Sequence, residues 1–122
     1  MSSSTTSAVL PSTFGHPVTE KLSKSNYALW KLQVLPAIRG AQLVQYIDGS
    51  SPAPAKEIDG GPDGKQKVPN PGYTIWLAYD QQVFSYLVAS LSRDVLKQVA
   101  SCVTAADLCK TLEELIASQT RA

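Results

Sequence analysis

The sequence predicts an all-α fold: a small helical bundle of about five helices, with a disordered N-terminal arm and one long Pro/Gly-rich loop. The longest stretch with one clear period is residues 70–91, where apolar residues recur at helical spacing. Three other segments share that period, and no run alternates apolar and polar residues as a half-buried strand does. The 122 residues suffice for one domain with one core.

The composition narrows the classes of function. The formal net charge is +1, so the basic field of a nucleic-acid-binding protein is missing. No run approaches the roughly 18 apolar residues of a membrane helix, and the N-terminus does not have the pattern of a secretory signal. Cys102 and Cys109 are interpreted as reduced thiols. We therefore expect a cytoplasmic protein, with the nucleus as the alternative, and no membrane partner.

Two segments are expected to lie outside the packed helices. Residues 1–18 are rich in serine and threonine and predict the disordered arm, which leaves residues 19–122 as the helical domain. Residues 49–69 contain four prolines and four glycines and have no apolar period. This internal segment is predicted to be a mobile loop.

The first helix is predicted to begin at Tyr27, with Asn26 as its cap, and to end near Gly40. A short helix is expected over residues 41–47. The last two helices are expected after Ser92 and after Thr104, which suit cap positions. Because the final apolar pattern reaches Ala122 without a stop signal, we expect the natural chain to continue, which makes this chain a fragment.

The central helix is predicted over residues 71–89, with Asn70 as its cap and Pro71 at its first position. Its main apolar face is joined by a thinner second one, formed by Ile75, Tyr79 and Tyr86. That second face is either a candidate self-association surface or is covered by another helix of the same chain, such as the first helix with its Leu29 and Leu32. The predicted core anchors of the whole domain are Tyr27, Trp30, Trp76, Phe84, Leu87 and Leu112.

Asp80 is the unusual residue of the central helix, because it falls near the middle of the apolar face. A buried carboxylate must be paired or neutral. It is therefore a candidate for a buried ion pair with Lys31, Arg39 or another base at the edge of the core. The alternative is a structural switch or an assembly contact.

No catalytic, metal or cofactor site is predicted. The one histidine, His16, lies in the arm, and both cysteines are expected on helix faces, so no nucleophile has a neighbouring base. Two cysteines seven residues apart do not make a zinc site, and no glycine-rich phosphate loop joins a strand to a helix. The sequence thus favours a protein that is not an enzyme and takes no cofactor.

Three blocks in order resemble the N-terminal region of plant copia-type long-terminal-repeat retrotransposon Gag polyproteins. The first block is Leu22–Tyr27, Trp30 and Gln33–Pro36; the second is Asn70, Pro71, Tyr73, Trp76, Asp80–Gln82, Leu87 and Ser90–Ser92; the third is Thr104–Ala106, Leu112, Glu113 and Ser118–Ala122. The chain departs from the family pattern at Cys109, which is usually Trp, and at Ile116, which is usually aromatic. Both departures shrink a buried face.

The resemblance implies a capsid-like Gag module that forms homo-oligomers in virus-like particle assembly. It implies weak RNA contact here, because the family places that contact mainly in a downstream zinc knuckle that this sequence does not contain. Two alternatives stay open: a captured Gag fragment that serves as a host protein–protein interaction adaptor, and a remnant without function.

Overall fold

The computed structural model describes residues 18–121, and the predicted arm lies outside them except for Val18. In chain order the elements are α1 (Tyr27–Gly40), a 3-10 helix (Val44–Tyr46), β1 (Glu57–Gly60), β2 (Gln66–Pro69), α2 (Pro71–Ala89), α3 (Arg93–Gln98) and α4 (Ala105–Arg121). The predicted all-α bundle of about five helices is therefore wrong. The described residues form four α-helices and a two-stranded antiparallel sheet.

The sheet is a hairpin inside the segment that was predicted to be one long loop. β1 and β2 pair antiparallel, and their two apolar residues, Ile58 and Val68, stand opposite each other. The turn between them uses positive φ angles at Gly61 (80°) and Gly64 (71°), which glycine adopts without steric cost. The Gly64 N–H donates to the Gly61 carbonyl at 3.2 Å and closes the turn.

The prediction of a helix over residues 41–47 is also wrong, because the chain turns sharply after α1. Gln42 has a φ of 64°, in the left-handed region, and the Leu43 N–H donates back to the Ile38 carbonyl at 3.1 Å. This hydrogen-bond pattern is typical of a helix C-terminus, where the residue with positive φ is usually glycine and here is glutamine. The 3-10 helix Val44–Tyr46 is what remains of the predicted helix.

Asn26 lies at the start of α1 as predicted, but its side chain does not cap the helix. Its Oδ1 accepts from the Ser23 N–H and its Nδ2 donates to the Lys21 carbonyl, both at 2.8 Å. The Asn26 side chain therefore holds the preceding segment, residues 21–23, against the start of α1. That segment is also tied to the end of α2, since the Leu22 N–H donates to the Ser90 carbonyl at 2.9 Å.

The central helix is confirmed: α2 covers Pro71–Ala89, and Asn70 Oδ1 accepts from the Gly72 N–H at 2.9 Å. The core is formed by residues of α1, α2 and α4, and Val95 of α3 is also buried in it. Its most deeply buried apolar residues are Leu22, Ile38, Val83, Leu87, Ala105, Leu108 and Leu112.

Candidate interaction surface

The six predicted core anchors occupy two environments. Trp30, Leu87 and Leu112 are buried in the main core, and Tyr27 and Phe84 pack against it half-buried. The Trp30 Nε1–H donates to Ser90 Oγ at 2.9 Å, and that hydroxyl donates to the Leu87 carbonyl at 2.6 Å. The buried indole therefore has its polar atom paired, which joins α1 to the end of α2.

Trp76 lies apart from the main core and is half-buried. Its ring centroid is 6.1 Å from those of both Tyr46 and Tyr73, and its Nε1–H donates to the Ser51 carbonyl at 2.7 Å. This residue attaches the segment before the hairpin to α2.

Asp80 is fully buried, and the structure pairs it with the start of α4. Its Oδ1 accepts from the Ala105 N–H at 3.1 Å, and its Oδ2 accepts from Gln81 Nε2 at 3.0 Å. Gln81 Nε2 also donates to the Val103 carbonyl at 3.1 Å. No lysine or arginine of the described residues forms an ion pair with Asp80. The positive end of the α4 dipole thus takes the place of the base considered for the ion pair.

We predict that Asp80→Ala lowers the free energy of unfolding by about 2–4 kcal/mol, because it leaves the buried Ala105 N–H without its acceptor. Asp80→Asn, which keeps one acceptor oxygen, should cost less. Asp94→Ala, at an exposed carboxylate in the first turn of α3, should change stability by under about 1 kcal/mol. Urea unfolding of the three variants measures this. Equal losses at Asp80 and Asp94 would contradict the assigned role.

The predicted self-association face is divided between solvent and core. Ile75 is 60% exposed, whereas Tyr79 and Tyr86 pack half-buried against the core. The Tyr79 ring lies 6.2 Å from that of Tyr46 in the 3-10 helix. Leu29 and Leu32 of α1 do not cover this face, because these side chains are 54% and 70% exposed.

A groove between α1 and α4 is the feature that sequence reasoning did not predict. It has a volume of about 210 Å³ and is lined mainly by apolar side chains. We define this α1–α4 groove by Trp30, Val34, Ile38, Cys109 and Leu112. The signal in the sequence was the small Cys109 on an otherwise bulky helix face.

Three charged residues also line the groove: Lys31, Asp48 and Glu113. The Lys31 ammonium lies 5.7 Å from the centroid of the Tyr27 ring, a cation–π arrangement. Hydrogen bonds from Ser50 hold the pKa of Asp48 below its ordinary value. Burial, reinforced by the Glu113 charge, raises the pKa of Cys109 to about 12. The groove thus combines an apolar lining with two carboxylates and an unreactive thiol.

The raised pKa of Cys109 predicts that stability falls in alkaline solution. Below about pH 9 the thiol is protonated in both states; above it the unfolded thiol ionises while the folded thiol keeps its proton, which favours unfolding. The loss is up to about 1.4 kcal/mol per pH unit until the folded pKa is reached. Thermal melts at about pH 8 and pH 10 should show a smaller decrease for Cys109→Ala. Equal decreases would contradict the assignment.

Two further properties concern the described residues. Among the described residues, no group of three or more His, Cys, Asp or Glu side chains is placed to hold a metal ion. None of the described helices is long and apolar enough to cross a membrane.

The fold and surface define a small helical domain with a hairpin insertion and an open apolar groove. Over 98 residues, 80% of its length, the chain is 35% identical to the retrovirus-related Pol polyprotein from transposon RE2 of Arabidopsis thaliana. It is 34% identical over 98 residues to the corresponding polyprotein from transposon RE1 of the same plant. The chain belongs to the plant retrotransposon polyproteins.

The chain spans about 6% of the length of these relatives. No family model matches it, and no solved structure does.

Proposed function

We propose that this chain is a capsid-like Gag module of its polyprotein, which acts by self-association in the assembly of virus-like particles and not by catalysis. The observation that carries the proposal is the apolar surface that the fold leaves open. Leu32 on α1 and Ile75 on α2 are 70% and 60% exposed, and the α1–α4 groove is unfilled by the described residues. Exposed side chains of this kind become buried when another copy covers them, and removing apolar surface from water favours association.

The resemblance of the three sequence blocks to Gag polyproteins supports the same proposal. Identity to plant retrotransposon polyproteins extends over 98 residues, 80% of this chain, so the relationship is not confined to one short motif. In this proposal the particles form in the cytoplasm, and RNA is held mainly by other parts of the polyprotein.

Self-association is tested by light scattering after size-exclusion chromatography. We expect the mean mass to rise with concentration between about 10 µM and 1 mM, the range for contacts worth about 4–7 kcal/mol.

The variant Tyr86→Lys tests the face of Ile75, Tyr79 and Tyr86 that the sequence predicts. The variant should unfold if this half-buried ring mainly supports the core, and should stay folded and monomeric if the ring contacts another copy. A constant monomer mass for the parent chain would contradict the proposed function.

RNA binding by the isolated chain should be weak and independent of sequence. The net charge of +1 allows few phosphate contacts, and these supply most of non-specific affinity. Fluorescence anisotropy with a labelled single-stranded RNA measures it. Sub-micromolar affinity at physiological salt would contradict the prediction.

A further inference from the structure

The surface of α1 carries an apolar projection on the side opposite the α1–α4 groove. Leu29 and Leu32 are three residues apart, so they lie next to each other on the helix surface. They are 54% and 70% exposed. At about 100° per residue, Leu32 points roughly 160° away from Val34, which lines the groove. α1 therefore presents an apolar projection, formed by Leu29 and Leu32, and borders an apolar recess, which is the α1–α4 groove.

The recess is large enough for a side chain of another molecule. Its volume is about 210 Å³, whereas an engineered apolar cavity of about 150 Å³ already admits benzene. Trp30, Val34 and Leu112 provide rigid apolar walls. A leucine side chain that entered would remove its own surface from water, together with the parts of Tyr27, Leu35 and Cys109 that remain accessible at the groove.

The charges beside the two surfaces are complementary. Arg39 is exposed and lies seven residues after Leu32, on the same face of α1. It forms no ion pair with any described residue. The groove is lined by Asp48 and Glu113, and its one base, Lys31, stacks on Tyr27. Arg39, about 10 Å along α1 from the inserting leucine, is therefore opposite in charge to the two carboxylates of the groove.

The geometry points to a second copy of this chain as the occupant of the groove, with Leu32 of one copy inserted beside Cys109 of the next. Because projection and recess lie on opposite sides of one helix, the contact is head-to-tail: each copy uses its projection on one neighbour and its recess on another. Such a contact produces rings or open chains instead of a closed two-fold dimer. This inference rests on the proposed function and names a contact particular to this chain, because the Trp usual at position 109 in the family pattern would fill the recess.

The test uses the full chain with one variant for each surface. Leu32→Lys places a charge on the projection, and Cys109→Trp fills the recess with an indole. The matched controls are Val103→Lys, at a 69% exposed residue, and Cys109→Ala, which leaves the recess open. Glu113→Lys is a second groove variant at an exposed residue. Circular dichroism melts establish that each variant is folded, and sedimentation velocity gives the mass.

We expect Leu32→Lys and Cys109→Trp each to be monomeric where the parent associates, and both controls to associate as the parent does. Glu113→Lys should weaken association by about threefold, the effect of one exposed charge pair. An equimolar mixture of Leu32→Lys and Cys109→Trp should form a heterodimer and nothing larger, because one intact projection meets one intact recess.

Three results would overturn the inference. If either surface variant associates as the parent does, the contact is elsewhere and the proposed function stands. The same conclusion follows if the mixture stays monomeric while the parent associates. If the parent itself is monomeric throughout, both the inference and the proposed function fail.

Discussion

The carboxylate of Asp80 lies fully buried between α2 and the first turn of α4, and the relative position of these helices depends on it. A helix start leaves backbone N–H groups without partners, and a buried carboxylate needs donors, so each satisfies the other. Thr104 Oγ1 accepts from the Asp107 N–H at 3.2 Å and completes the cap. Gln81 extends the network to Val103.

The α1–α4 groove follows from that constraint. Asp80 fixes α4 against α2, while the Trp30–Ser90 hydrogen bond and the Leu22–Ser90 pairing fix α1 and the segment before it against the end of α2. α1 and α4 are thus each held by α2, and the small Cys109 does not fill the space between them. The recess remains because the helices are positioned by polar contacts elsewhere.

The sequence predicted the elements that rest on local chemistry. The period of α2 and the caps at Asn70 and Thr104 are properties of neighbouring residues, and the structure has them. The hairpin was missed because each strand contributes one apolar residue, Ile58 or Val68, which is too few to show alternation. Asp-Gly at residues 63–64 was the turn signal that remained.

The site was less predictable than the fold. Asp80 could be recognised as a buried polar residue, but its partner is a backbone N–H 25 residues away, which no pattern of side chains encodes. The groove depends on how far apart α1 and α4 lie, and periodicity gives the face of a helix without the distance to its neighbour. Leu29 and Leu32 of α1 are exposed because they do not pack against α2, and the sequence pattern does not show which helices α2 contacts.

Association of copies through the surfaces that the fold leaves open on α1 and α4 would be visible in the arrangement of subunits in the assembled form. Cryo-electron microscopy or crystallography of that form measures the arrangement. We expect the same head-to-tail contact repeated from copy to copy, with Leu32 of one subunit in the α1–α4 groove of the next. A symmetric two-fold pair with the groove unoccupied would contradict it.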